Sequence, residues 1–165
     1  MKRTCIAVVD ATRARLFTYE RTSELEGARE HLIEHLDLVN PARRQRPSEL
    51  FSDSRPGTGR TGGLQYAFDD HREDHIDEMD AVFARLIADE TERLVKSTQA
   101  THFILCASPN MLGQLRKVLT VEIPIDELAR DYVKLTPAQL RDTLETHGLL
   151  PSKGPRPGMT APPGH

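Results

Sequence analysis

Residues 101–119 read THFILCASPNMLGQLRKVL, and their reading decides the fold class. Thr101 to Ala107 is apolar at nearly every position, as a strand inside a sheet with both faces covered must be. Ser108 and Pro109 then supply the cap and the first position of a helix, which MLGQLRKVL continues. A buried strand that passes at once into a helix predicts an α/β fold, a mixed β-sheet with helices packed on its faces.

Toward the N-terminus, the stretch from about Asp70 to Ser97 has apolar residues at Ile76, Met79, Phe83, Leu86, Ile87, Leu94 and Val95, one broad helical face. Such a helix is on the order of 40 Å long. Its early acids suit the positive end of the helix dipole. Thr4–Val9 and Arg13–Tyr19 read as a hairpin, with Asp10, Ala11 and Thr12 supplying the turn. A third strand spans His31–Val39, where Leu32, His35 or Leu36, and Leu38 alternate imperfectly before Asn40 and Pro41 end it. Toward the C-terminus, Val121–Ile123 reads as a short strand and Asp126–Tyr132 as a short helix. Ala138–His147 reads as the last helix, capped by Thr136 and Pro137 and stopped by Gly148.

The expected order is three strands, a long loop, a long helix, then β-α-β-α-α. The chain of 165 residues fits a single domain over residues 1–150. Residues 151–165 are rich in Pro and Gly, and a disordered tail is expected there. At 38% hydrophobic and 28% charged, the composition is that of a globular protein. No run approaches the ~18–20 apolar residues of a membrane span, and the Met-Lys-Arg start leads into an apolar segment broken by Asp10. A cytoplasmic protein with no membrane association is the expectation. Cys5 and Cys106 lie in apolar runs and read as packing residues rather than redox or metal groups.

Between the third strand and the long helix, Pro41–Gln65 reads PARRQRPSELFSDSRPGTGRTGGLQ. Connections longer than ~12–15 residues are uncommon in a compact domain unless they are functional or disordered. Arg43, Arg44, Arg46, Arg55 and Arg60 face only Glu49 and Asp53, a local balance of +3 in a chain of net charge -3. A polyanion is the natural partner, because each phosphate neutralised releases counterions.

Several segments together identify a family. They are IAVVDATRARLF (6–17), SDSRPGTG (52–59), FARLIADETERL (83–94), FILCASPNMLGQLRKVL (103–119) and LARDYVKLTPAQLRDTL (128–144). Through them the chain resembles the bacterial proteins described as required for attachment to host cells, along nearly its whole length before the tail. That resemblance implies a fold similar to the middle domain of archaeal and eukaryotic peptide-chain release factors and of Pelota. In the release factors, a Gly-Gly-Gln tip between a strand and a long helix helps water attack the peptidyl-tRNA ester.

Gly62, Gly63 and Gln65 stand in the corresponding kind of place, and the resemblance implies a catalytic role for Gln65. Leu64 intervenes, however, and displaces the amide where orientation counts most. A glycine turn leading into the helix is the plainer reading. His71 and His75 share a helical face, yet His-Arg-Glu-Asp-His sets Glu73 away from the zinc-hydrolase position, and an acidic helix start is the plainer reading. Asp10 with Asp53, Asp69 or Asp70 offers a nuclease-like magnesium arrangement, against which Asp10 reads more simply as the hairpin turn.

The reading that results is a release-factor-like domain that binds structured RNA or the ribosome. Its site residues are Arg43, Arg44, Arg46, Arg55, Arg60, Gly62 and Gly63, with no cofactor and no metal. The enzymatic alternative is a peptidyl-tRNA ester hydrolase using Gln65. The third class is a protein-interaction module that affects surface attachment.

Overall fold

The structure is a computed structural model and describes residues 2–24, 27–42 and 62–152, with the backbone alone at residues 23, 24, 28 and 62–74. The chain forms two compact units, Met1–Lys134 and Leu135–His165. The first contains β1 (Arg3–Val9), β2 (Arg13–Glu24), β3 (Gly27–Val39), α1 (Gly62–Thr98), β4 (His102–Ala107), α2 (Pro109–Val118) and β5 (Ile125–Leu128). These strands make one mixed sheet in the order β3-β2-β1-β4-β5. The α/β class expected from the sequence is the class observed.

β1 lies at the centre, antiparallel to β2 and parallel to β4. Its side chains alternate between two buried faces. Cys5, Ala7 and Val9 join Leu16, Phe103 and Leu105 in a core closed by Phe83, Ala84, Ile87 and Leu94 of α1 and Met111, Leu112 and Leu115 of α2. Both long helices therefore cover the same face. On the other face Ile6, Val8, Phe17, Ile104 and Cys106 are equally buried. There the Arg15 guanidinium lies 5.0 Å from the Phe17 ring centre and donates to the Val133 carbonyl at 3.0 Å, holding the chain beyond β5 against the sheet. Its Nε donates to Glu34 on β3, so this buried charge is matched on its own face.

Several elements differ from the sequence expectation, each for a physical reason. The β2–β3 hairpin is longer than Arg13–Tyr19 and His31–Val39, because Arg21–Glu24 pairs with Gly27–Glu30 beyond the reach of β1. That extension is a two-stranded ribbon of almost wholly polar sequence, so it has no hydrophobic period to read. The uneven alternation in β3 comes from a bulge opposite Leu16 and Phe17. Leu32 pairs with Tyr19 on one face, whereas Leu36 and Leu38 pair with Leu16 and Ala14 on the other.

The short helix expected at Asp126–Tyr132 and the strand at Val121–Ile123 are both corrected. Ile125–Leu128 is instead a strand parallel to β4, entered where the Pro124 carbonyl accepts from Phe103 N–H at 3.0 Å. A segment with good helix formers is extended here because a sheet edge is available for it to complete.

α1 starts eight residues before the expected Asp70, and its first turn holds no acid. Its acids therefore lie along the helix, and the dipole argument for them does not apply. The other end closes on Gln99, which has φ 55, and Ala100 N–H donates to the Val95 carbonyl at 3.1 Å. A left-handed residue in this position is usually glycine. In the second unit, α3 (Pro137–Thr146) has the expected cap: Thr136 Oγ1 accepts from Gln139 N–H and Gln139 Oε1 accepts from Thr136 N–H. Gly148, at φ 74, ends it.

Two stability predictions follow from this geometry. Gln99→Gly removes a left-handed side chain and should raise the unfolding free energy by about 0.5–1 kcal/mol in a denaturant titration, once the added freedom of the unfolded glycine is counted. The Cys106 thiol is pushed up to about 12 by burial. Its protonated form supports the fold fully below the unfolded value, about 8.5, and that support is lost as pH rises from there toward 12. Thermal melts between pH 8 and 11 should fall less steeply for Cys106→Ala than for the parent, and equal slopes would contradict the assignment.

Candidate functional site

The carboxyl ends of β1 and β4 lie side by side, joined where Ser108 N–H donates to the Val9 carbonyl at 3.1 Å. In sheets with parallel strands, this edge is where ligands are usually met. Asp10 closes the β1–β2 turn: its Oδ1 accepts from Thr12 N–H and Thr12 Oγ1 at 2.8 Å and from Arg13 N–H at 2.7 Å. The turn role read from the sequence is the role it has. Next to it, the Arg13 guanidinium holds the Asp37 carboxyl below the usual carboxylate range. Both side chains remain well exposed, so the pair adds little to stability.

Asn40 ties the end of β3 to this turn. It is 1% exposed, and its Nδ2 donates to the Ala11 carbonyl at 2.9 Å while its backbone N–H donates to the Thr12 carbonyl at 2.8 Å. Its Oδ1 accepts from Ala42 N–H at 3.1 Å. The chain therefore leaves the sheet for the arginine segment at a fixed point beside Asp10.

It returns on α1. From Thr98 back to Asp80 this helix spans about 27 Å, more than the about 23 Å of seven-residue β1. The eighteen residues from Gly62 to Met79 extend it by about another 27 Å. His75, Asp77 and Glu78 are exposed on that extension, whereas Asp80, Phe83 and Ala84 are fully buried. Asp80 Oδ2 accepts from Nδ2 of Asn110, in the first turn of α2, at 3.2 Å.

Of the residues expected at the site, Arg43, Arg44, Arg46, Arg55 and Arg60 lie outside the described residues, as does Asp53. Gly62, Gly63 and Gln65 form the first turn of the α1 backbone, and Asp69, Asp70, His71, Glu73 and Asp74 follow on it. Among the described residues, no three His, Cys, Asp or Glu side chains are grouped to hold a metal ion. Ser108 precedes α2 in the expected place, with Pro109 following, but its side chain makes no capping bond. Cys5 and Cys106 are both free and buried, with their thiols pushed up by burial.

Sequence reasoning passed over Asn40, Asp80 and Asn110. Asp80 left a trace, a charge one residue after Met79 and three before Phe83, inside the apolar face. Asn40 left none, because Asn before Pro reads simply as the end of a strand.

A family model described as "Protein required for attachment to host cells" matches residues 5–144. The chain belongs to that family. No curated protein matches the chain. Among solved structures, the type II variant of the Aquifex aeolicus Ppx/GppA phosphatase is similar at 10% identity and a TM-score of 0.42. The match covers 78% of this chain and 36% of that one, so the chain spans about a third of its length. No helix of the described residues is long and apolar enough to cross a membrane.

The family member should lose about 1–3 kcal/mol of stability on Asn40→Ala, which strands the Ala11 carbonyl and Ala42 N–H. Faster amide exchange at Ala42 than elsewhere at the sheet edge would mark the lost anchor, and unchanged exchange would show that the backbone alone holds it.

Proposed function

We propose that this protein binds structured RNA, on the ribosome in particular, through its arginine segment, in the manner of a release-factor middle domain and as a cytoplasmic factor. The family's attachment phenotype is then an indirect outcome of translation control. The observation that supports this reading most is where the segment is rooted. It leaves a rigid sheet edge at Asn40 and rejoins the chain at Gly62, at the far end of a helix that outruns the sheet.

Five arginines in the eighteen residues from Arg43 to Arg60 supply charge for phosphates and need no base-specific contact. Gly62 and Gly63 permit close backbone approach to RNA. Asp77 and Glu78, exposed on α1, repel phosphates and favour an approach with the segment foremost. Gln65 belongs to the first helical turn rather than to an irregular tip, and Leu64 separates it from the glycines. Binding without ester hydrolysis is accordingly the reading we adopt.

The test is sedimentation with ribosomes and titration of a short RNA hairpin across a salt series. Changing Arg43, Arg44, Arg46, Arg55 and Arg60 together to Ser should abolish co-sedimentation and reduce the slope of log affinity against log salt by up to about 4. Undiminished binding by that variant would refute the reading. Association with a protein complex that is insensitive to salt would favour the interaction-module class, and release of peptide by the parent but not by Gln65→Ala would favour the hydrolase.

A further inference from the structure

Val82 and Leu86 stand one turn apart on α1 and are 62% and 38% exposed. Single exposed apolar side chains are ordinary on a protein surface. These two differ because they adjoin each other and because charges are ordered around them. Glu78, Arg85, Asp89 and Arg93 are exposed on the same helix. At about 100° per residue, all six side chains fall within about 100° of its circumference. They occupy the side turned away from Phe83, Ala84, Ile87 and Thr91, which are buried. Among the described residues, the side chains of Glu78, Arg85 and Asp89 make no hydrogen bond, and Arg93 pairs with Glu90 while its side chain stays 76% exposed.

Along the helix these charges read acid, base, acid, base. A stripe in that order is complementary to itself when reversed, so the occupant it fits is a second copy of the same helix running the other way. The two kinds of charge pair agree on where the copies meet. Setting Glu78 opposite Arg93 of the second copy puts a two-fold axis midway between Arg85 and Leu86. Setting Arg85 opposite Asp89 puts it level with Ile87, about 2 Å further along. Leu86 lies between these positions and meets its own copy, and Val82, one turn away, packs beside the copy of Leu86. Within one chain Glu78 and Arg93 are about 22 Å apart along the helix, too far to pair.

We propose that this face of α1 is a homodimer interface, in which two copies pack antiparallel about a two-fold axis at Leu86. Opposed helix dipoles favour the same arrangement. One helix from each chain buries less than ~1,200 Å² in total, which places the dimer in the weak, reversible class. The proposal does not rest on the RNA reading.

The experiment is sedimentation equilibrium of the full chain, cleared of nucleic acid by nuclease and a high-salt wash, from about 10 µM to about 1 mM protein. The parent should self-associate reversibly, and less at high salt. Glu78→Arg and Arg93→Glu should each weaken association on the order of tenfold, because each homodimer then sets two like-charged pairs face to face. An equimolar mixture of these two variants should recover association to within about threefold of the parent, because both pairs in the mixed dimer are again opposite in sign. Loss of stability cannot produce that recovery, and circular dichroism reports the fold of each variant. Leu86→Lys, which brings two ammonium groups to the axis, should abolish association. A parent that stays monomeric throughout would overturn the proposal. So would association that both charge reversals leave unchanged, or a mixture that associates no better than its separate components. Hairpin binding is measured apart from these runs, so the failure of one reading leaves the other standing.

Discussion

The parallel pairing of β1 with β4 is the constraint from which the rest of the first unit follows. Antiparallel strands can be joined by a tight turn, as β1 and β2 are, but two parallel neighbours need a crossover that returns the chain to the starting edge. That crossover is α1. Because both strands start at the same edge, the helix must run against them, and its N-terminal end comes to the edge where β1 and β4 finish. The arginine segment lies between β3, which ends at this edge, and α1, which enters from beyond it. Where the segment departs and where the chain rejoins are thus imposed by strand direction.

Strand direction also explains why one sheet face carries both long helices. A right-handed crossover from β1 to β4 and another from β4 to β5 travel the same way across the sheet, so α1 and α2 land on one side and pack against each other. The opposite face is as thoroughly buried but has different chemistry, with Arg15 laid over Phe17 and bonded to Val133. A long charged side chain can cover apolar surface with its stem while its head remains paired.

Much of this was legible in the residues. Thr101–Ala107 followed by Ser108 and Pro109 gave β4 and α2, because burial on two faces and a helix start are both local signals. Thr136, Pro137, Gln139 and Gly148 marked α3 in the same way. The failures were nonlocal. Ile125–Leu128 became a strand because β4 had an open edge, and no property of Ile-Asp-Glu-Leu announces that. The outer ribbon of β2 and β3 is polar at all but Gly27 and Ala28, so hydrophobicity cannot reveal it. The first eight residues of α1, GGLQYAFD, begin with two glycines, which weaken local helix preference. At the candidate site, the charge of the arginine segment was plain, but its anchoring was not, because Asn40 acts through backbone groups that only the assembled turn brings near.

If the chain binds RNA as proposed, its net charge of -3 requires that its own acids be kept from opposing the ligand, and the length of α1 serves this. Screening at physiological salt reduces interactions between exposed charges beyond about 8 Å. Asp69 is seven residues from Gly62, about 10 Å along the helix, and Asp77 and Glu78 are farther still. Under that reading, repulsion from the exposed Asp77 and Glu78 acts on RNA that approaches along the helix flank. On the same reading, what the turns of α1 before Asp80 add is distance between Gly62 and the acids at the body end of the helix.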